Sequence, residues 1–410
     1  MNRHLDGKTI LVTGATGFIG GRLVEKICHQ SDAKVRVLAR DLSRLPRVGR
    51  FPVEIATGDV LNIAALDQAI EGCDIVFHCA YGNQGSRELR WKVNVEGTRN
   101  VARAAMRAHA ERFVHVSTWA VYGHPPDGDL DESAPRRNSN YDYADSKLRA
   151  ERIVFKYATK FGLPAVVIQP TVVYGPHAPA WTVHTLERLR SGRVILVNGG
   201  EGLCNAVYVD DVIEALLLAA SQDKAVGEAF LISAEEPITW GRFFHEFEAM
   251  LGSSRTVSMT ASEAIAFTRE FDRKQYLAHQ LVELLREEPQ LLSRILRSRE
   301  VAALATLARP TMRRTAMRMA KTLAGEGRDA LTSVSSTNEA PIHPLDRWSI
   351  RRFESRVSVR IDKAKRLLGY KPAFTFDVGI QRTRQWARWA NLVDGIPTSR
   401  WDTDRSTAGA

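Results

Sequence analysis

Thr9-Ile10-Leu11-Val12-Thr13-Gly14-Ala15-Thr16-Gly17-Phe18-Ile19-Gly20 is the stretch that decides the fold. An apolar run is followed by glycines spaced GxxGxxG, then by the periodic apolar residues Phe18, Ile19, Leu23, Val24 and Ile27. That order reads as strand, tight turn and amphipathic helix. Glycine lets the backbone turn sharply and come close to a pyrophosphate, whose charge is stabilised at a helix N-terminus. Gly14, Thr16, Gly17, Phe18, Ile19 and Gly20 are therefore the expected dinucleotide-binding turn. A glycine pattern alone is a weak signal; its place between a strand and a helix strengthens it.

Outward from this turn, strand-like and helix-like segments alternate. Strands are expected at 9–13, 34–39, 53–57, 75–79, 112–117 and 165–169, and helices at 20–30, 63–71, 94–109 and 143–161. Such alternation implies parallel strands joined by right-handed crossovers, with a ligand at their carboxyl ends. The expected fold is α/β: a Rossmann-type doubly wound parallel sheet with a smaller C-terminal substrate lobe and a helical insertion. Residues 1–175 form the dinucleotide-binding core. Residues 176–260 and 345–395 form the lobe, some of whose elements return to the core. Residues 261–344 form a helical basic insertion with a loose linker, and 396–410 a disordered tail.

The 410 residues carry a net charge of +10, with 44% hydrophobic and 25% charged residues, ordinary for a globular enzyme. The positive balance suits anionic partners, or simply a solvated basic surface. Cys28, Cys73, Cys79 and Cys204 are scattered, without CxxC or metal-ligand spacing, so they read as reduced thiols of a cytoplasmic protein and no metal site is expected. The N-terminal residues lack the apolar core of a signal peptide, and no run of about 18 apolar residues occurs.

Tyr143 and Lys147 are four apart, which puts both on one face of a helix. A phenol titrates near 10; a neighbouring ammonium favours phenolate and suits proton exchange with an alcohol or ketone. Alone, YxxxK is a common surface pair. Here a strand-end run, Val116-Ser117-Thr118-Trp119-Ala120-Val121-Tyr122-Gly123, precedes it and offers a hydroxyl to hold the reacting oxygen.

In these marks the chain resembles the extended short-chain dehydrogenase/reductase superfamily, which includes nucleotide-sugar epimerases and dehydratases and 3β-hydroxysteroid dehydrogenases. Further matches are Gly58-Asp59-Val60, Val76-Phe77-His78-Cys79-Ala80, Asn94-Val95-Glu96-Gly97-Thr98, Pro170…Tyr174-Gly175-Pro176 and Tyr208-Val209-Asp210-Asp211-Val212. The resemblance covers most of 7–245 and returns at 356–390. It implies that Tyr143 is the acid/base, Thr118 its hydroxyl partner and Lys147 the pKa-lowering, ribose-binding companion. It also implies that Asp59 and Val60 flank the adenine. Cys79 and Ala80 then line the cofactor channel, Asn94 supports that wall, and Pro170 to Val173 lie near the nicotinamide. Hydride transfer at a secondary carbinol or ketone is the implied reaction.

Two readings of substrate stay open: sugar-derived, including nucleotide sugars, or an apolar ketone or steroid. A non-catalytic dinucleotide sensor is a third alternative, though such proteins usually lose the tyrosine. Tyr81, Trp119, Tyr174 and His177 are the candidate substrate contacts.

Arg40, at the end of the second strand, favours NADP over NAD, because arginine suits a 2′-phosphate; Asp41 beside it is counter-evidence. Family 4,6-dehydratases carry Asp-Glu where this chain has Trp119 and Ala120, so that elimination is not expected. Epimerases often place an arginine where Cys204 stands; either another arginine substitutes, with Arg193 and Arg347 as candidates, or the substrate is not a nucleotide sugar. Partners are a small-molecule substrate and a second copy in a homodimer. No nucleic acid is expected, since no aromatics interleave with the arginines of the insertion. A peripheral membrane contact through 294–323 is the less favoured role for that segment, behind a lid or oligomer contact.

Overall fold

The structure, a computed structural model, describes residues 3–287 and 340–393; the 294–323 segment and the 396–410 tail lie outside them. Seven strands form the central sheet: β1 (Thr9–Thr13), β2 (Lys34–Ala39), β3 (Val53–Thr57), β4 (Ile75–His78), β5 (Arg112–Val116), β6 (Ala165–Pro170) and β7 (Ala229–Ile232). All pairings are parallel, in the order β7-β6-β5-β4-β1-β2-β3. Ile10 pairs with Val35 on one side and Ile75 on the other. The order reverses between β1 and β4, and a crevice opens there beyond the carboxyl ends.

Alternate strand residues feed two apolar layers. Ile10, Val12, Val35 and Phe77 pack toward α1 (Phe18–Gln30), while Leu11, Leu38 and Val76 pack toward α2 (Ile63–Ile70), α3 (Gly97–Arg107) and α4 (Asp142–Phe161). Parallel strands covered on both faces read as nearly continuous apolar runs, and that is why they were visible in the sequence.

The expected helix at 94–109 is interrupted: a wide turn over Lys92–Glu96 precedes α3. A second wide turn over Pro179–Val183 precedes the helix His184–Ser191. A strand beyond the six expected, β7, extends the central sheet, with Ala229 beside Val167.

Beyond these, α5 (Val209–Ser221) packs on α1 and the central sheet, and α6 (Trp240–Leu251) and α7 (Arg347–Glu354) follow later in the chain. A separate three-stranded sheet places Arg193–Val197 between Thr256–Met259 and Ile342–His343. Thr239 caps α6 by accepting from Arg242 N, and Asp346 caps α7 by accepting from Ser349 N at 2.7 Å. Ala261–Glu287 is one helix. Among the described residues no helix is long and apolar enough to cross a membrane.

Candidate active site

The glycine turn is compact because it has to be. Gly14 has φ +71°, and a Cβ there would stand 2.6 Å from Ala80 N. A Cβ on Gly20 would stand 2.3 Å from Gly14 O. Gly17 donates to Gly14 O at 3.0 Å and caps α1 with no side chain. The result is a backbone-lined hollow at a helix N-terminus, with Thr16 in the turn and Phe18 and Ile19 half-buried against the core. Cys79 and Ala80 run directly against it, Cys79 N donating to Thr13 O. This cradle fits a pyrophosphate.

Asn94 braces the next wall: its Oδ1 accepts from Gly82 N at 2.7 Å and its Nδ2 donates to Gly82 O at 3.2 Å. It sits in the wide turn Lys92–Glu96, a distortion frequent at functional sites. Val60 is buried under Gly97, where a Cβ would meet it at 2.6 Å. Asp59 accepts from Leu61 N and from Arg40 Nη1, at 2.9 and 3.3 Å. Asp41 turns away into its own loop, accepting from Ser43 N and Oγ at 3.0 and 2.7 Å. Arg40 stays exposed at the rim.

The structure brings Tyr143, Lys147, Thr118, Tyr81 and Trp119 together. Thr118 caps a short turn over Trp119–Tyr122 at the end of β5. Tyr143 and Lys147 come from the first two turns of α4. Lys147 is buried; its Nζ donates to Val116 O at 2.8 Å and lies 5.3 Å from the Tyr81 ring centre. The Tyr81 and Tyr143 rings meet edge to face at 5.2 Å. Desolvation pulls Lys147 down to about 8. Burial raises the Tyr143 phenol; hydrogen bonding with Thr118, and then the charge of Arg352, pull it back. The resemblance gives a charge effect on the phenol to Lys147; in the structure the Lys147 amine donates to the Val116 carbonyl, and Arg352 is a further cation that acts on the phenol.

Pro170 ends β6 beside β5, and Val173 follows in a short ladder with Val207. Tyr174 is not a cleft residue: it is buried, its hydroxyl donates to Phe376 O at 3.3 Å, and it packs on Tyr208, Phe243 and Phe376. His177 packs against Trp386, the rings tilted at 54° and 4.8 Å apart, and the charges that act on it are those of Arg47, Glu25, Arg50 and Arg22.

The sequence reading missed Arg352, and neither suggested substitute takes its place. Arg193 lies at the start of its strand with Nε donating to Ala340 O, and Arg347 is exposed at the start of α7. Arg352 is the cation beside both Cys204 and Tyr143. Burial keeps the Cys204 thiol protonated. Helical spacing explains the geometry: Ile350 and Phe353 are buried in the core, while Trp348, Arg351 and Arg352 line a cavity of about 400 Å³ with Trp119 and His124. Trp348 stacks on Tyr141 at 4.8 Å and lies 4.1 Å from His124, ring centre to ring centre.

The model of the NAD dependent epimerase/dehydratase family matches residues 10–233, more than half of the chain. The chain belongs to this family. It is thus an extended short-chain dehydrogenase/reductase, a family of NAD(P)-binding enzymes, and the glycine cradle fits that cofactor. A 2-alkyl-3-oxoalkanoate reductase of Shewanella oneidensis is 31% identical over 250 residues, 57% of this chain and 64% of that protein. An N-acetyl-alpha-D-glucosaminyl-diphospho-ditrans,octacis-undecaprenol 4-epimerase of Escherichia coli O157:H7 is 30% identical over 213 residues, 50% of this chain and 61% of that one. The chain therefore matches less than two thirds of either relative's length. The solved UDP-glucuronic acid 4-epimerase of Bacillus cereus, a complex with UDP-glucuronic acid and NAD, superposes with a TM-score of 0.63 at 18% identity. The superposition covers 93% of this chain and 99% of that one, a likeness of fold.

Proposed function

We propose that this protein is an NAD(P)-dependent reductase that converts a ketone of a largely apolar substrate to a secondary alcohol, or the reverse. The observation that carries this reading is the aromatic surface beside Tyr143: the Tyr81 and Tyr141 rings meet its ring, and Trp348, stacked on Tyr141, lines the neighbouring cavity with Trp119. Such surface favours apolar matter over a sugar's hydroxyls. The Shewanella reductase named above takes an oxo acid, which supports it further.

When bound, the dinucleotide supplies hydride to the carbonyl carbon. Tyr143 gives its proton to the carbonyl oxygen, Thr118 holds that oxygen in line, and Lys147 holds the cofactor's ribose. The product is one alcohol per reduced nucleotide oxidised. Trp119 and Ala120 offer no carboxyl group for water elimination, which weighs against a dehydratase. The local capture of Asp41 by Ser43 leaves Arg40 as the group facing an adenosine 2′-phosphate, and supports NADP over NAD.

A second reading, epimerisation of a nucleotide sugar, has one observation in its favour: the Arg352 cation deep in the cleft would suit a diphosphate. Spectrophotometry at 340 nm with NADPH and NADH separates the two. Net oxidation driven by a 3-oxoacid or its ester, faster with NADPH, is the expected result. Inversion of a UDP-sugar without net oxidation would refute the reductase reading. Tyr143→Phe is expected to lower turnover by roughly 10²- to 10⁴-fold with dinucleotide binding retained.

A further inference from the structure

Arg352 is held in an unusual setting. Its guanidinium carbon lies 4.7 Å from the ring centre of Trp181, 5.3 Å from Trp119 and 5.8 Å from Trp240. Three indoles thus flank one cation, and stacking of this kind engages the face of the guanidinium while its N–H edge stays available. The Nε atom is buried and has no hydrogen-bond partner among the described residues. No carboxylate among them pairs with this arginine either. Asp346 is used as the α7 cap and Asp127 accepts from Arg356 N, while Glu354 is exposed on the cavity rim. The Cys204 thiol beside it is neutral. Arg352 is half-buried, and a partly desolvated cation with no carboxylate partner among the described residues is costly unless a ligand supplies the counter-charge.

We propose that Arg352 holds the carboxylate of an oxo acid, with the substrate's alkyl part lying on the shelf formed by Tyr141, Trp348 and His124. The proposal rests on the ketone-reductase reading and narrows it to substrates that carry an anion close to the ketone. In a 3-oxo acid the carboxyl carbon is two bonds from the carbonyl carbon, which matches an arginine close enough for its charge to act on the Tyr143 phenol. The planar N–H fork of arginine matches a carboxylate with two parallel hydrogen bonds. The shelf is apolar on its faces and opens at the exposed His124, where a long chain can leave the protein.

The test compares a freshly saponified 2-alkyl-3-oxoalkanoate with its methyl ester in wild type, Arg352→Gln and Arg352→Lys. Circular dichroism and thermal melts confirm folding of each. Wild type is expected to favour the acid by about 10- to 100-fold in kcat/KM, the worth of a hydrogen-bonded charge pair. Arg352→Gln is expected to lose that preference through a raised KM for the acid, and Arg352→Lys to recover part of it. Equal use of acid and ester by wild type, or a preference that survives in Arg352→Gln, would overturn the proposal.

Binding of dodecanoate against methyl dodecanoate, read by tryptophan fluorescence, needs no turnover. Selective, Arg352-dependent dodecanoate binding supports the carboxylate site even where no ketone is reduced, an outcome that defeats the reductase reading alone. Arg352-dependent binding of UDP with none of dodecanoate would sink the carboxylate assignment.

Discussion

Gly14, Gly17 and Gly20 form one wall within a single turn of chain, whereas a second is assembled around Arg352 by Trp119, Trp181 and the core residue Trp240, four separate stretches in all. The first wall is made of backbone. Its shape follows from which positions lack a Cβ, and its neighbours are fixed by the β1–β4 register. The second is made of side chains, and its shape depends on how α6, α7 and the turn after β5 pack. A backbone wall can recognise only what every family member shares, a phosphate and its position. A side-chain wall can change with each substrate, so specificity resides there.

The largest expected effect breaks the backbone wall. Gly20→Val adds a branched side chain whose first atom would stand 2.3 Å from the Gly14 carbonyl oxygen. A backbone oxygen in a strained turn cannot move aside cheaply. The variant should lose about 3 kcal/mol or more of stability in urea titrations and bind NADPH too weakly to saturate. A Gly20→Val protein with wild-type nucleotide affinity would mean that the close approach is unimportant.

That contrast also explains which features were readable in the chain. Six of the seven strands and the glycine turn were visible because each is encoded within four to seven consecutive residues, by apolar runs and by steric need. Tyr143 and Lys147 were visible because one helix carries both. Arg352 was not, because nothing local distinguishes it from Arg351 beside it; only the docking of α7 against Trp181 and Trp240 does so. Cys204 stands where many epimerases carry an arginine; in the structure Arg352 is the cation beside it, while Arg193 donates to Ala340 O and Arg347 is exposed. Tyr174 misled for the opposite reason. It stands in a motif-like run, Val172–Tyr174, yet pairing of that run with Ala206–Tyr208 turns its ring into the core.

A middle-sized effect tests where the two walls meet. Lys147 titrates near 8 in the folded protein against an ordinary value of 10.5, because burial penalises its charge. Below pH 8 both folded and unfolded states hold the proton, and the folded state bears the full cost of the buried charge. Between about 8 and 10.5 the unfolded chain binds more protons, so stability must rise with pH across that window. The dinucleotide-free protein should gain about 2 kcal/mol there relative to Lys147→Met, measured by urea unfolding at pH 7.5 and 10. Identical pH profiles for the two proteins would show that the amine is hydrated. Its bond to the Val116 carbonyl would then not be the environment that governs it.

The smallest effect separates packing from chemistry on the side-chain half. Tyr174 donates one long hydrogen bond, 3.3 Å to Phe376 O, from inside an aromatic cluster. Tyr174→Phe keeps the ring and every stacking contact and leaves one carbonyl without that donor. Its cost in a thermal melt should be below about 1 kcal/mol, and kcat and KM for the ketone should stay at wild-type values. A KM raised severalfold with unchanged stability would return Tyr174 to the substrate site, and the substrate would then extend past Trp240 into the cluster around Phe243. In that case the side-chain wall would be deeper than the cavity lined by Trp119 and Trp348, and chain length rather than the anion would set the preference among substrates.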